Sequence, residues 1–485
     1  MMHGLLYIIG VTLLWVLVAL AIIHVVMDNR QPAKTMAWVL VIFFVPVVGI
    51  VFYLFFGVNH RRERLVSQRS VDELTKRSML GFVEQRDFHV PENHRQLVDL
   101  FINQNLALPF KDNQIDIMTD GYAFFPELLK DIAAARHHIH IDMYIIEDDP
   151  LGQLVADALI DKAKSGVEVR LVYDDVGCWK VDRHFFERMR EGGVEMAPYL
   201  PVRFPSFTSK ANYRNHRKLI VIDGTVGYIG GMNIALRYVK GTGTQPWRDT
   251  MLRMTGGIVY ALQRAFLIDW YFVDRTLITG RQYYPSTLHE SPSTLHESPS
   301  ILHNLAQVVT SGPTQRYPEI MQGYVHAILA ARRYVYIETP YFLPNEPVLF
   351  ALKTAAVGGV DVRLLCPLRS DARFTDWASR SYLRELHEAG AKVCLYRTGF
   401  LHSKLMVCDD SLCTCGSTNV DFRSFENNFE ANVFIYGEGT ALRLKKVFLD
   451  DEAQCTLLSD MPDRLHPQFF KRLWESFTRL LSPLL

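Results

Sequence analysis

The chain has 485 residues, with 52 Lys plus Arg balanced by 52 Asp plus Glu. That length is too great for one ordinary domain and suits two cores of near-average size, while the charge balance argues against a protein drawn to nucleic acid by an overall basic field. Seven scattered cysteines do not form a secreted disulfide framework. Cys408, Cys413 and Cys415 read as structural thiols in a strand and its turn rather than as metal ligands, because no second Cys or His pair stands at finger-like spacing.

The first elements are apolar. From Gly4 to Met27, and again from Met36 to Val58, there is no Asp, Glu, Lys or Arg, and each run exceeds the ~20 residues that cross a hydrocarbon core as a helix. With the short polar stretch DNRQPAKT between them, residues 1–58 are predicted as a two-helix transmembrane hairpin; a signal peptide would need a basic start. Pro46 and Gly49 are expected to kink the second helix or to permit close helix contact. Arg61, Arg62, Arg64, Arg69, Lys76 and Arg77 follow the second run, whereas the turn holds only Arg30 and Lys34. The positive-inside rule therefore expects the large C-terminal part in the cytoplasm, joined through a juxtamembrane connector over 59–110.

Beyond the connector the chain repeats itself. AAARHHIHIDMYIIEDD (133–149) resembles LAARRYVYIETPYFLPN (329–345), SGVEVRLVYDD (165–175) is answered by GGVDVRLLCPL (358–368), and EGGVEMAPY (191–199) by EAGAKVCLY (388–396). Strand-like runs alternate with helical stretches such as LGQLVADALIDKAK (151–164), which predicts an α/β fold of two duplicated halves, 111–284 and 305–485, with helices outside a mixed sheet. Between them, 285–304 repeats a seven-residue Pro/Ser-rich unit and reads as an exposed linker; its His289, His296 and His303 are assigned no chemistry.

The fourth echo carries chemistry. RNHRKLIVIDG (214–224) and FLHSKLMVCDD (400–410) place His216, Lys218 and Asp223, and His402, Lys404 and Asp409, at one spacing, and Gly230, Gly231 and Asn233 are matched by Gly416, Ser417 and Asn419. Residues two apart on a strand share a face, so each half is expected to present one imidazole and one ammonium to a shared site. The doubled H-x-K-x4-D pattern resembles the phospholipase D superfamily, and with the apolar N-terminus, GSTNVDFRSFENNFEANVFIY (416–436) and the ending FTRLLSPLL it resembles, more narrowly, the bacterial cardiolipin synthases.

Such residues can cleave a phosphodiester: one neutral imidazole attacks phosphorus while a second, protonated, gives its proton to the leaving oxygen. That division predicts two histidines whose environments push their pKa values apart. Lys218 and Lys404, with Asn233, Asn419 and Ser417 at the substrate, are expected to hold the phosphoryl oxygens, and no metal ion is demanded. Each ring needs a carboxylate on its far nitrogen, for which Asp249 in WRDT and Glu430 in NNFEAN are the candidates. Asp223 and Asp409 are expected to hold the fold. Glu147, Asp148 and Asp149, like Asp174 and Asp175, read as solvated strand ends rather than a Mg²⁺ site.

The resemblance implies two fused α-β-α sandwich halves, His216 as nucleophile and His402 as general acid and then base, the near-symmetry leaving the reverse assignment open. It also implies phosphatidylglycerol as substrate, glycerol as leaving group, and a multi-pass protein of the bacterial inner membrane. Spacing alone does not choose between an alcohol acceptor and water, the latter giving a phospholipase D. The lipid reading rests on the tether, on YLPVRFPSF (199–207) and on FFKRLWESFTRLL. In the last, Phe470, Leu473, Trp474, Phe477 and Leu481 recur at helical steps apart from Lys471, Arg472 and Arg479, fitting an interfacial helix or one packed on the protein's own core.

Overall fold

The computed structural model describes residues 2–28, 32–57, 90–202, 212–243, 245–285 and 304–483. The basic cluster after Val58, the repeated linker unit with its histidines and most of the 199–207 stretch lie outside them. Strands buried on both faces dominate the interior. In Lys218–Ile222, Leu219 and Val221 enter one core while Ile220 and Ile222 enter another, as the two-residue period of a covered strand requires.

These strands form one 15-stranded mixed sheet. Read inward from one edge, the first half runs Glu195–Tyr199, Glu168–Asp174, His138–Met143, Lys218–Ile222, Val226–Gly230, Met251–Thr255, Phe110–Met118. From the other side the second half runs Lys392–Tyr396, Asp361–Pro367, Tyr334–Glu338, Leu405–Cys408, Leu412–Gly416, Glu430–Tyr436, Asn304–Ser311. The pairing senses match step for step, two parallel junctions followed by antiparallel ones. Phe110–Met118 and Asn304–Ser311 pair antiparallel at the centre, so the two halves share a continuous sheet. Cys455–Leu457 extends one edge and has no counterpart among the described residues.

Helices cover both faces. Ile258–Asp274 and Glu438–Glu452 lie over a core common to both halves. On the other face each half keeps its own core, beneath Gly121–Ala134, Pro150–Lys164 and Arg183–Glu191 in the first, and Glu319–Ala330, Glu346–Val357 and Arg373–Glu388 in the second. The connector is less separate than its sequence suggested. Its helix Arg95–Asn105 buries Leu97, Val98 and Phe101 against Val309, Ile320 and Tyr324 of the second half, and Gln307 Nε2 donates to the carbonyls of Val98 (3.2 Å) and Ala107 (2.7 Å).

At the N-terminus Met2–Met27 is a continuous helix, long and apolar enough to cross a membrane. The expected second span is broken. Pro32–Phe44 stops at Val45, and Pro46–Phe52 and a π-turn at Tyr53–Gly57 follow, because proline lacks the N–H that would continue the ladder. The second piece folds back on the first: the Trp38 and Tyr53 rings lie 5.5 Å apart, where a straight helix would separate them by about 22 Å. A Cβ on Gly49 would sit 2.7 Å from the Val41 carbonyl oxygen, so only glycine allows that approach. Tyr53 returns to the level of His24, 5.9 Å ring to ring, and Lys34, in the first turn of Pro32–Phe44, reaches Glu426 of the second half at 3.0 Å.

The C-terminal helix Phe469–Leu480 packs with its polar face inward. Glu475 is fully buried, taking Arg384 at 2.6 Å, and Arg479 pairs with Glu385 at 2.7 Å. Phe469, Phe470, Leu473 and Phe477 are exposed on the other face, so of the two packings open to this segment, seating the apolar stripe on the protein's own core is not the one adopted.

Candidate active site

Each motif histidine stands where its half meets the other. The strands begin at Lys218 and Leu405, so both histidines precede them instead of lying on them as expected. The reason is capture of that stretch by main chain across the junction. Asn215 bridges Phe429 and His216 N–H donates to the Phe429 carbonyl at 2.9 Å; Phe400–Leu401 pairs with Trp247–Arg248 and His402 N–H donates to the Arg248 carbonyl at 2.7 Å.

Those partners immediately precede the two carboxylates, and the orienting pairs are therefore exchanged between halves. His216 Nδ1 donates to Glu430 at 2.9 and 3.1 Å, and His402 Nδ1 to Asp249 at 2.6 Å. Both acids are buried and held from behind. Ser417 Oγ and Asn428 Nδ2 donate to Glu430, and the Thr250 N–H donates to Asp249 at 2.7 Å. With Nδ1 committed, Nε2 is the free nitrogen of each ring.

The lysines are sealed below the histidines. Lys218 Nζ donates to the His216 carbonyl at 2.7 Å; Lys404 Nζ donates to that of His402 and lies 2.8 Å from its Nδ1. Burial, opposed by Glu430 and reinforced by Lys218, holds His216 down at about 4; burial and Lys404, opposed by Asp249, hold His402 at about 3. The expected divergence of the two rings is thus not present without substrate: both are neutral at pH 7, because each is buried beside lysine side chains. Burial also lowers Lys404 to about 8 and Lys218 well below its usual value. Burial alone would raise Glu430 and Asp249, yet the facing cations outweigh it and keep both below the ordinary carboxylate range.

Both imidazoles line one cavity of about 670 Å³, walled also by Asn233, Asn419, Tyr144, Tyr341, Trp247, Arg237 and Arg423. Asn233 is held by the Ile145 N–H and the Tyr238 hydroxyl, while Asn419 Oδ1 is buried without a partner among the described residues. Ser417 does not line this wall; its hydroxyl donates to Glu430, behind the carboxylate. Asp223 and Asp409 lie away from the cavity, each accepting three successive backbone N–H groups, those of Arg136, His137 and His138 and those of Arg332, Arg333 and Tyr334.

The acidic runs are not solvated strand ends throughout. Asp174 is buried and accepts from Asn215 N–H at 2.9 Å, Asp149 caps a helix, and Glu147 pairs with Arg237 at 2.6 Å. Arg237 and Arg423 went unremarked in the sequence, although each follows its motif asparagine by the same interval.

Two imidazoles fixed by buried carboxylates, over buried ammonium groups and at one cavity, define a phosphoryl-transfer site of the phospholipase D type. The family described as "Cardiolipin synthase, PLD-like domain" matches residues 128–243 and 324–451, and "Phospholipase_D-nuclease N-terminal" matches 16–57; the chain belongs to the former family. It is 39% identical to a cardiolipin synthase of Geobacillus sp. (strain WCH70) over 95% of this chain and 90% of that one. With the major cardiolipin synthase of Bacillus subtilis (strain 168) it shares 37% identity over 96% and 97%. In fold it is similar to phosphatidylserine synthase from Haemophilus influenzae Rd KW20, with a TM-score of 0.61 at 15% identity, covering 80% of this chain and all of that one.

Proposed function

We propose that this chain is a phosphatidyltransferase that joins two phosphatidylglycerol molecules into cardiolipin and releases glycerol. The observation that carries this reading is the placement of both imidazoles on one cavity with each Nδ1 held by a carboxylate; its close full-length relatives carry the name cardiolipin synthase.

In the first step His216 Nε2 attacks the donor phosphorus. The bond to the glycerol oxygen breaks, and that oxygen takes a proton from His402 Nε2. The phosphate's negative charge raises both rings from their low resting values, which is how His402 acquires its proton in the complex. Lys218 and Lys404 stabilise the added charge from below and the two motif asparagines from the wall. In the second step His402 removes the proton of an acceptor hydroxyl, whose oxygen attacks phosphorus as the bond to His216 breaks. Asp223 and Asp409 act on the scaffold, and Ser417, Glu430 and Asp249 position the rings. Purified protein given phosphatidylglycerol alone is expected to yield diphosphatidylglycerol and free glycerol; phosphatidic acid as the main product would replace this reading with a phospholipase D.

The same reading places the protein in the bacterial inner membrane with its catalytic part in the cytoplasm. The helix Met2–Met27 crosses once, and the broken pieces from Pro32 to Gly57 enter and return on the catalytic side. This fits the contact of Lys34 with Glu426. The outward apolar face of Phe469–Leu480 lies in the lipid interface.

A further inference from the structure

Arg237 and Arg423 occupy equivalent places in the duplicated halves and both line the catalytic cavity, but their surroundings have diverged. Arg237 lies on the His402 side. Its guanidinium is 5.3 Å from the Trp247 ring and 5.9 Å from that of Tyr238, and those rings are 5.3 and 5.9 Å from the His402 imidazole. Arg423 lies on the other side, where its charge acts on Tyr144, whose ring is 4.8 Å from that of His216.

Among the described residues, only the first of these arginines is braced by an acid. Glu147 takes Arg237 Nη1 at 2.6 Å, and Glu147 is fixed in turn because its N–H donates to the Ile234 carbonyl at 3.0 Å. Asp149 grips the same segment through the Leu236 N–H at 2.6 Å. The position equivalent to Glu147 in the second half is Leu343. The brace spends one nitrogen, and the Arg237 side chain remains about a quarter exposed (26%) on the cavity wall, leaving other N–H groups open. A guanidinium held rigid with an unspent donor is prepared for an anion.

The two substrates make different demands on the His402 side. The donor places only a neutral glycerol there, as its leaving group. The acceptor places a glycerol hydroxyl there too, but its own phosphodiester follows three carbons behind. A cation on this side is therefore needed by the acceptor alone. We propose that Arg237, braced by Glu147, binds the phosphodiester of the acceptor phosphatidylglycerol, so that an anionic glycerophospholipid outcompetes free glycerol and water for the phosphohistidine. This rests on the cardiolipin-forming reading of the site.

The test uses the full chain in phosphatidylglycerol vesicles with labelled free glycerol, which reports two fates of one phosphoenzyme: cardiolipin, and labelled glycerol exchanged into phosphatidylglycerol. A wild-type protein making neither product contradicts the functional reading itself. With the wild type active, Arg237→Gln is expected to lower the ratio of cardiolipin to exchange by about tenfold, the worth of one charge-assisted hydrogen bond. Glu147→Gln lowers it less, and Arg423→Gln does not lower it. Parallel loss of both products in Arg237→Gln, an unchanged ratio, or a fall in the ratio with Arg423→Gln instead overturns the proposal.

Discussion

Glu430, in the second half, accepts the Nδ1–H of His216, in the first, at 2.9 Å. The relation is returned by Asp249 and His402, so neither half holds a complete histidine–carboxylate pair of its own. Glu430→Gln and Asp249→Asn keep the shape but turn an acceptor-only group into one that can also donate, disfavouring the tautomer with Nε2 free. Each is expected to lower kcat for cardiolipin formation by about 10²-fold or more, with thermal unfolding little changed. Near-normal kcat in either variant would remove the carboxylates from the mechanism.

The pH profile has a side set by Lys404. Its ammonium is held at about 8 by burial, so charge beneath the phosphate is lost as the pH rises through that value. The free-enzyme profile of kcat/KM is expected to fall above about pH 8; a plateau continuing to pH 10 contradicts this. Stability moves on the acid side. His216 and His402 titrate at about 4 and 3 against an ordinary 6.5, so between pH 6.5 and 4 the unfolded chain binds more protons and stability falls as pH falls. The thermal midpoint should be lower at pH 5 than at pH 7, and less so in His216→Ala.

The proposed single crossing with a re-entrant segment differs from a straight hairpin in which side each turn faces. Six of the seven native cysteines are buried, which suits labelling of introduced ones, and a side chain at Gly4 meets nothing within 4 Å. With a membrane-impermeant maleimide on intact cells, Gly4→Cys should be labelled and Asp28→Cys only after permeabilisation. A hairpin of two full spans gives the reverse.

The inverted C-terminal helix separates anchoring from lipid contact. Glu475→Ala leaves Arg384 buried without its acid and is expected to cost about 3 kcal/mol, read as a lower thermal midpoint. Phe470→Ser with Leu473→Ser, both on the exposed face, should leave that midpoint in place while slowing turnover in vesicles. Equal turnover in vesicles would remove the helix from the lipid interface.

Much of this was legible in the sequence because duplication writes the same chemistry twice. The matched strands and both motif histidines follow from paired intervals, and the candidates Asp249 and Glu430 from their places after the two motifs. The exchange of carboxylates does not, since position along the chain says nothing of which half a side chain faces, and the bridge from Asn215 to Phe429 joins stretches far apart in sequence. Ser417 looked like a substrate ligand by its place in the motif, but a buried Glu430 needs a donor, and its hydroxyl is taken up there. Uncharged composition predicted a second span as long as the first, whereas Pro46 and Gly49 permit a fold-back that hydropathy does not register.

The central claim is a phosphoryl group carried on His216 and handed on with His402 as the proton carrier. It is tested most directly by giving His402→Ala a phosphatidyl ester of p-nitrophenol, whose departure needs no acid, and locating the adduct by peptide mass spectrometry. Burst release of p-nitrophenol with a phosphatidyl group trapped on His216 is the predicted result. Unimpaired cardiolipin formation from phosphatidylglycerol by this variant, or an adduct on any other residue, would contradict the account.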